Sequence, residues 1–185
     1  MKQNKKGRLK IIIDKSIKEF SQLISSTKNP VPAGGSTIAT TALLGVALLK
    51  LAYQVSNIAT IEEERLNKIE ENLLNYIDKD VIAFKVNQNK KFKDPESLKE
   101  IIDIPLHIAQ DSKIALSMGL AIREEIKESV KADYHISILN LKTSIKGAIK
   151  IIESNYQFFD NNNYLHQVQN KIKNIKKFIT TKFLN

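Results

Sequence analysis

The chain has no cysteine and no tryptophan, only four prolines and six glycines, and an aromatic content of 6%. Without thiols it can build no disulfide, no thiolate metal site and no cysteine nucleophile, and a cytoplasmic address is the expectation. It also lacks the strict apolar-polar alternation of half-buried strands; its apolar residues recur at spacings of three and four, the period of helices. Long hydrophobic runs are missing too. Within the apolar segment Ile38 to Val55 the uninterrupted stretch is Ala42 to Leu49, and Lys50 and Gln54 follow it. A span needs about 20 apolar residues, so a buried core helix is expected there and no membrane partner. Met1 to Lys6 is basic like the start of an export signal, but the apolar Ile11-Ile12-Ile13 ends at once in Asp14-Lys15.

Acidic residues are in short supply, 20 Asp plus Glu against 29 Lys plus Arg, giving a net charge of +9. Such a balance suits nucleic acid, an anionic surface or a polyanionic small molecule. The densest basic run, Lys171, Lys173, Lys176, Lys177 and Lys182, comes with no stacking aromatic platform and no known binding module, so it reads as a solvated helix face and no nucleic-acid partner is expected. His107, His135 and His166 show no metal-ligand spacing with one another or with carboxylates, and no Ser-His-Asp signature is present. No metal is expected, and acyl-enzyme chemistry is disfavoured.

What is present reads as all-α, one domain over residues 1–185 with residues 1–12 a loose basic segment, built as a bundle of about six helices around a central apolar helix rich in small residues. The first helix is expected from Asp14, its cap, to Ser26, with Ile13, Ile17, Phe20 and Ile24 on one face. Asn29-Pro30-Val31-Pro32 stops it. The central helix starts at Ser36 or Thr37 and runs to about Asn57. The third opens on a Thr60 to Glu63 capping box and continues to Asn89 on the stripe Leu66, Ile69, Leu73, Ile77 and Phe84. Asp94 caps the fourth, with Pro95 in its first turn, and Pro105 falls inside it, where a kink or a break into two helices is expected before the pattern resumes to Ser129. A fifth helix spans Val130 to Asn155 and a basic amphipathic sixth spans Tyr164 to Leu184.

Three features break these patterns. The third helix's stripe advances to position 80, where an apolar side chain is due and Asp80 stands instead. A carboxylate so placed is either held by a cation or has its pKa raised and can exchange protons near neutrality. Asp78, two residues back on another face, is expected in solvent. On the fifth helix Asp133, Ser137, Asn140 and Ser144 form a narrow polar stripe at spacings four, three and four, which suits a cleft wall or a surface face. Finally, Ala33-Gly34-Gly35-Ser36 puts permissive backbone just before a helix N-terminus, whose free N–H groups and dipole favour an anion or a carbonyl oxygen. It is no phosphate-binding P-loop, since no Lys-Ser/Thr follows at the required spacing.

In order along the chain, these features resemble the cyclodeaminase/cyclohydrolase family, which comprises the second domain of formiminotransferase-cyclodeaminase and stand-alone bacterial methenyltetrahydrofolate cyclohydrolases. Pro30-Val31-Pro32-Ala33-Gly34-Gly35-Ser36-Thr37-Ile38-Ala39 is similar to the family's Pro-Gly-Gly-Gly-Ser-x-x-Ala, and Asp78-Lys79-Asp80-Val81-Ile82-Ala83-Phe84 to its Asp-x-Asp-x-x-Ala-Phe. Ile104-Pro105-Leu106 resembles its mid-helix Val-Pro-Leu, and Tyr134 to Leu141 its Asn-Val-x-Ile-Asn-Leu segment. Ala33, Met118 and Ile136 stand where the family has Gly, Asp and Asn.

The resemblance implies a cytoplasmic, all-helical homodimer that opens or closes the one-carbon bridge between N5 and N10 of a reduced folate, with or without a polyglutamate tail. It implies no cofactor beyond the tetrahydrofolate substrate. It places the catalytic carboxylate on Asp80, folate-binding donors on Gly34, Gly35 and Ser36, and a substrate-orienting amide on Asn140, to which the polar stripe adds Ser137 and Asp133 as substrate-binding candidates. The reactions implied are hydrolysis of 5,10-methenyltetrahydrofolate to 10-formyltetrahydrofolate and cyclodeamination of formiminotetrahydrofolate. The alternative is a catalytically altered relative, a helical dimer that binds folate or a partner.

Overall fold

A computed structural model describes residues 12–28, 32–58, 62–160 and 163–183. Six α-helices occur among them: α1 Ile17–Ile24, α2 Gly34–Val55, α3 Glu62–Asn89, α4 Pro95–Ala121, α5 Lys131–Asn155 and α6 Asn163–Phe183. No described residue lies in a strand. Helix α2 is the centre. It packs most extensively on α5 and α3 and touches α4, while α4 packs on α5 and α3 and α6 lies against α4. By length and composition α2 is apolar enough to cross a membrane, but here ten of its residues, from Gly35 to Tyr53, are buried among its neighbours.

Small side chains let α2 and α5 come close. A β-carbon at Gly45 would sit 3.0 Å from Leu141 Cγ, and one at Gly147 only 2.7 Å from Ile38 Cγ2. The two helices run antiparallel and are laced by serines: Ser137 Oγ donates to the Gly45 carbonyl at 2.7 Å and Ser144 Oγ to the Ile38 carbonyl at 2.8 Å. The stripe expected to line a cleft is therefore corrected. Ser137 and Ser144 are fully buried between helices, where a hydroxyl fits because a second acceptor bond to a helical carbonyl satisfies it.

The remaining expectations hold to different degrees. Leu66, Ile69, Leu73 and Ile77 of α3 are buried as their period requires, and Phe84 packs partly buried against the core. Asp94 caps α4, its side chain accepting from Ser97 N at 3.0 Å. Thr60 and the Pro30-Val31 break lie outside the described residues. The cap of α1 is Ser16, in a capping box with Glu19, and not Asp14. The helix thus starts later, Ile17 is 89% exposed, and Phe20 and Leu23 carry the contact with the core. Helix α4 ends at Ala121, followed by two short 3-10 turns before α5.

Pro105 does not divide α4, which is one helix from Pro95 to Ala121. Proline has no N–H to give the carbonyl four residues back, that of Ile101. Asn155, the last residue of α5, donates its Nδ2 to that carbonyl at 2.8 Å. A side chain from another helix thus supplies the bond the proline cannot.

Asp78 is also corrected. It is 2% exposed, and its Oδ1 accepts the Ile12 N–H at 2.6 Å and the Ile13 N–H at 3.4 Å. Residue 12 accordingly belongs to the folded body, its side chain buried in the core. A turn outside any helix leaves N–H groups that need an acceptor when covered, and α3 provides it. Asp78→Ala is expected to lower stability by about 1–3 kcal/mol, read by thermal unfolding as a Tm loss of about 2–4 °C per kcal/mol. Asp78→Asn, which keeps an acceptor oxygen, should lose less.

Candidate active site

Asp80 stands one turn beyond Ile77 on α3, opposite the first turn of α2. It is half-buried, and its Oδ2 accepts two bonds from one residue, the Ser36 N–H at 2.9 Å and the Ser36 hydroxyl at 3.1 Å. The same hydroxyl lies 3.0 Å from the Ile77 carbonyl. A hydroxyl has one proton and two acceptor lone pairs. With Asp80 ionised, Ser36 gives that proton to the carboxylate; with Asp80 protonated, the carboxyl can donate to Ser36 Oγ, which turns to Ile77. Both protonation states are satisfied without moving a heavy atom.

Burial pushes the Asp80 carboxyl above the ordinary carboxylate range, and the Ser36 bonds oppose this in part. No lysine, arginine or histidine among the described residues counters it. Of the two readings open to a carboxylate in an apolar stripe, the held ion pair is therefore not what the geometry displays. The group sits in low dielectric with a raised pKa, the condition for exchanging protons nearer neutrality.

The carboxylate opens into a cleft of about 170 Å³. Ala33, Gly34 and Gly35 form one wall, Phe84, Phe92 and Phe158 a second, and Ile101, Ile151 and Asn155 a third. The turn backbone can approach this closely because of Gly35. A β-carbon there would collide with the Asp80 carboxylate, whereas one at Gly34 would make ordinary contact with Ile151 Cδ1 at 3.4 Å. Ala33 has φ −143°, outside the left-handed region that needs glycine, so alanine fits at this position of the glycine turn.

The sequence-derived site residues separate into two groups. Asp80, Gly34 and Gly35 meet at the cleft, and Ser36 joins them from behind. Ser36 is fully buried and gives its N–H and O–H to Asp80 and Ile77, so it positions the carboxylate and does not face the cleft. Asn140 abuts Gly45, Ser137 is spent on the Gly45 carbonyl, and Asp133 lies in the first turn of α5. The cleft meets α5 at Ile151 and Asn155; Asn140, eleven residues before Ile151, is about 16 Å away along the axis. Within one chain these three are not brought to Asp80, because α5 runs antiparallel to α2 and presents its C-terminal turn to the glycines. None of the three histidines lines the cleft; His107 stacks on Tyr76 at 5.9 Å.

The aromatic wall and Asn155 were not singled out by the sequence. Phe158 follows α5 in a 3-10 turn and stacks on Phe92 at 4.7 Å, and Phe84 meets Phe92 edge-on at 5.7 Å. The signal for Asn155 lay in Pro105, which announces an orphaned carbonyl without saying what satisfies it.

Comparison with known proteins gives a consistent picture. In structure the chain is similar to formiminotetrahydrofolate cyclodeaminase from Thermotoga maritima, with a TM-score of 0.82 at 14% identity over 91% of each chain, which shows a shared fold. A comparison with curated proteins finds no match. The family model for formiminotransferase-cyclodeaminase matches residues 16–174, nearly the whole described fold. The chain therefore belongs to the formiminotransferase-cyclodeaminase family.

Proposed function

We propose that the Asp80 cleft hydrolyses 5,10-methenyltetrahydrofolate to 10-formyltetrahydrofolate, or carries out the related cyclodeamination of formiminotetrahydrofolate. The observation that carries this reading is the half-buried carboxylate held on Ser36 with no cation against it among the described residues. Water attacks the amidinium carbon of the methenyl bridge while Asp80 takes its proton and opposes the positive charge of the bridge. The tetrahedral adduct collapses, the bond from carbon to N5 breaks, N5 takes up the proton held by Asp80, and the adduct's hydroxyl proton passes to solvent as the formyl group stays on N10. In the deaminating reaction N10 closes on the formimino carbon and gives its proton to the same carboxylate, which passes it to the amino group of the adduct, and the bond from carbon to that nitrogen breaks as ammonia leaves. Sites that enclose drug-sized ligands measure about 300–1,000 Å³, so a cleft of about 170 Å³ takes only part of the folate. The glutamate end then runs outside, on a chain whose net charge is +9.

The test is optical. Mixing the chain with methenyltetrahydrofolate should speed the loss of the bridged cation's absorbance, and a rate no greater than the uncatalysed one would sink the hydrolytic reading; ammonia release from formiminotetrahydrofolate checks the other. A second reading, a binder without turnover, draws on Met118, buried in α4 where relatives carry an acid. Calorimetry with tetrahydrofolate distinguishes it.

The same reading makes the chain a cytoplasmic homodimer. Near the level where Gly45 meets Asn140 and Leu141, α2 exposes Leu44 (55%) and α5 exposes Ile136 and Leu139 (59%), and Leu51 is exposed two turns further along α2. Adjacent apolar side chains left in water on two neighbouring helices are what an isologous contact would cover. Light scattering should give twice the chain mass, and Leu44→Glu with Leu139→Glu should give a folded monomer. A parent that scatters as a monomer at micromolar concentration refutes the dimer.

A further inference from the structure

Asn155 sits at the one place where the cleft wall carries a polar side chain besides Asp80. Its Nδ2 is committed to the Ile101 carbonyl left open by Pro105, and that bond fixes which way the amide faces. Its Oδ1 accepts from no group among the described residues. Beside it stand Phe92 and Phe158, stacked nearly parallel at 15°. Phe92 is held there at a cost: Lys91 and Phe92 both have positive φ, 56° and 54°, a conformation rare for residues with side chains. The Phe92 N–H donates to the Asn87 carbonyl at 2.8 Å, and the buried Asn87 side chain ties this turn to α4 through the Ser97 carbonyl at 2.7 Å. Flat aromatic walls with one oriented acceptor suit a planar ring that carries an N–H.

We propose that Asn155 is the substrate-positioning residue of this cleft, its amide oxygen accepting a hydrogen bond from the lactam N–H or amino group of a pteridine ring packed along the Phe92 and Phe158 wall. The inference rests on the folate reading above and deepens it. Pro105 acts at one remove: by withholding its N–H it leaves the carbonyl that orients the amide.

Calorimetry with tetrahydrofolate and with a tetrahydropterin fragment tests this, with thermal melts to confirm that each variant is folded. Asn155→Ala should weaken both ligands about tenfold. Asn155→Asp keeps acceptor oxygens but sets one of them against the Ile101 carbonyl in place of the donor, so it should weaken both ligands too, by less than Asn155→Ala. A tetrahydropterin methylated at the lactam nitrogen and the amine should bind the unaltered chain about tenfold more weakly than its parent fragment, and Asn155→Ala should not distinguish the two. If Asn155→Asp is as weak as Asn155→Ala and methylation is harmless, the residue serves only the Ile101 carbonyl and the proposal falls. If Asn155→Ala binds tetrahydrofolate like the parent, the proposal falls while the folate reading stands. If the parent binds neither ligand, both fall.

Discussion

Replacing Asp80 by Asn is expected to reduce turnover of the bridged folate by about 10²–10⁴-fold, the range over which a positioned acid-base group contributes. The change is nearly isosteric, and the new amide oxygen can still accept the Ser36 N–H that now meets Oδ2 at 2.9 Å. Folding should therefore survive and the loss should fall on the rate and not on binding. If Asp80→Asn is as fast as the parent, the carboxylate is not the proton carrier, whatever else the cleft does.

The same variant has a signature in stability. Burial raises the folded pKa of Asp80 above its ordinary value of 3.8. Between that value and the raised one, the native state binds more protons than the unfolded chain, so stability falls as pH rises through this window and is level above it. Asp80→Asn has no such penalty. Its Tm should exceed the parent's at neutral pH, with the difference closing as pH falls through the window. Turnover of the parent should fall in the same direction, since protonation removes the base, giving an acid limb set above 3.8. A parent whose rate stays flat down to the ordinary carboxylate range contradicts a raised pKa at the acting group.

The helices and Asp80 were legible in the sequence for one reason: both depend on a face of a single helix, and a period of 3.6 determines which residues share it. The stripe from Leu66 to Ile77 requires an apolar residue at position 80, and the exception marked the candidate site. What failed depended on a second segment of chain. Ser137 and Ser144 read as a wet wall until α2 is known to lie on them at the distance Gly45 permits. Asp78 read as solvated because its partners are backbone N–H groups of a distant turn, and backbone donors leave no trace in side-chain pattern. Asn155 could be linked to Pro105 only after α5 had been laid beside α4. The mistake over Ser36 is subtler. A serine ahead of an apolar helix signals a cap, but α2 begins two residues earlier at Gly34, which carries Ser36 inward to Asp80.

Gly35→Ala is the second change with a large expected effect, and Gly34→Ala is its control. The two glycines are adjacent in the first turn of α2 and have the same flexibility in the unfolded chain, yet their surroundings differ. A methyl at position 35 points into the Asp80 carboxylate, while one at 34 meets Ile151 at an ordinary 3.4 Å. To admit alanine at 35, Asp80 must swing out and break both Ser36 bonds, or α2 and α3 must part. Overpacking of this kind costs about 1–3 kcal/mol, and the displaced carboxylate should lose most of the rate that Asp80→Asn loses. Gly34→Ala should keep its Tm, since alanine is favoured over glycine in a helix by up to about 1 kcal/mol. Because both routes act on one group, Gly35→Ala placed in an Asp80→Asn background should add little further loss of rate. Full additivity would mean that the glycine serves the substrate directly, through the close approach of its backbone, and not the position of the carboxylate.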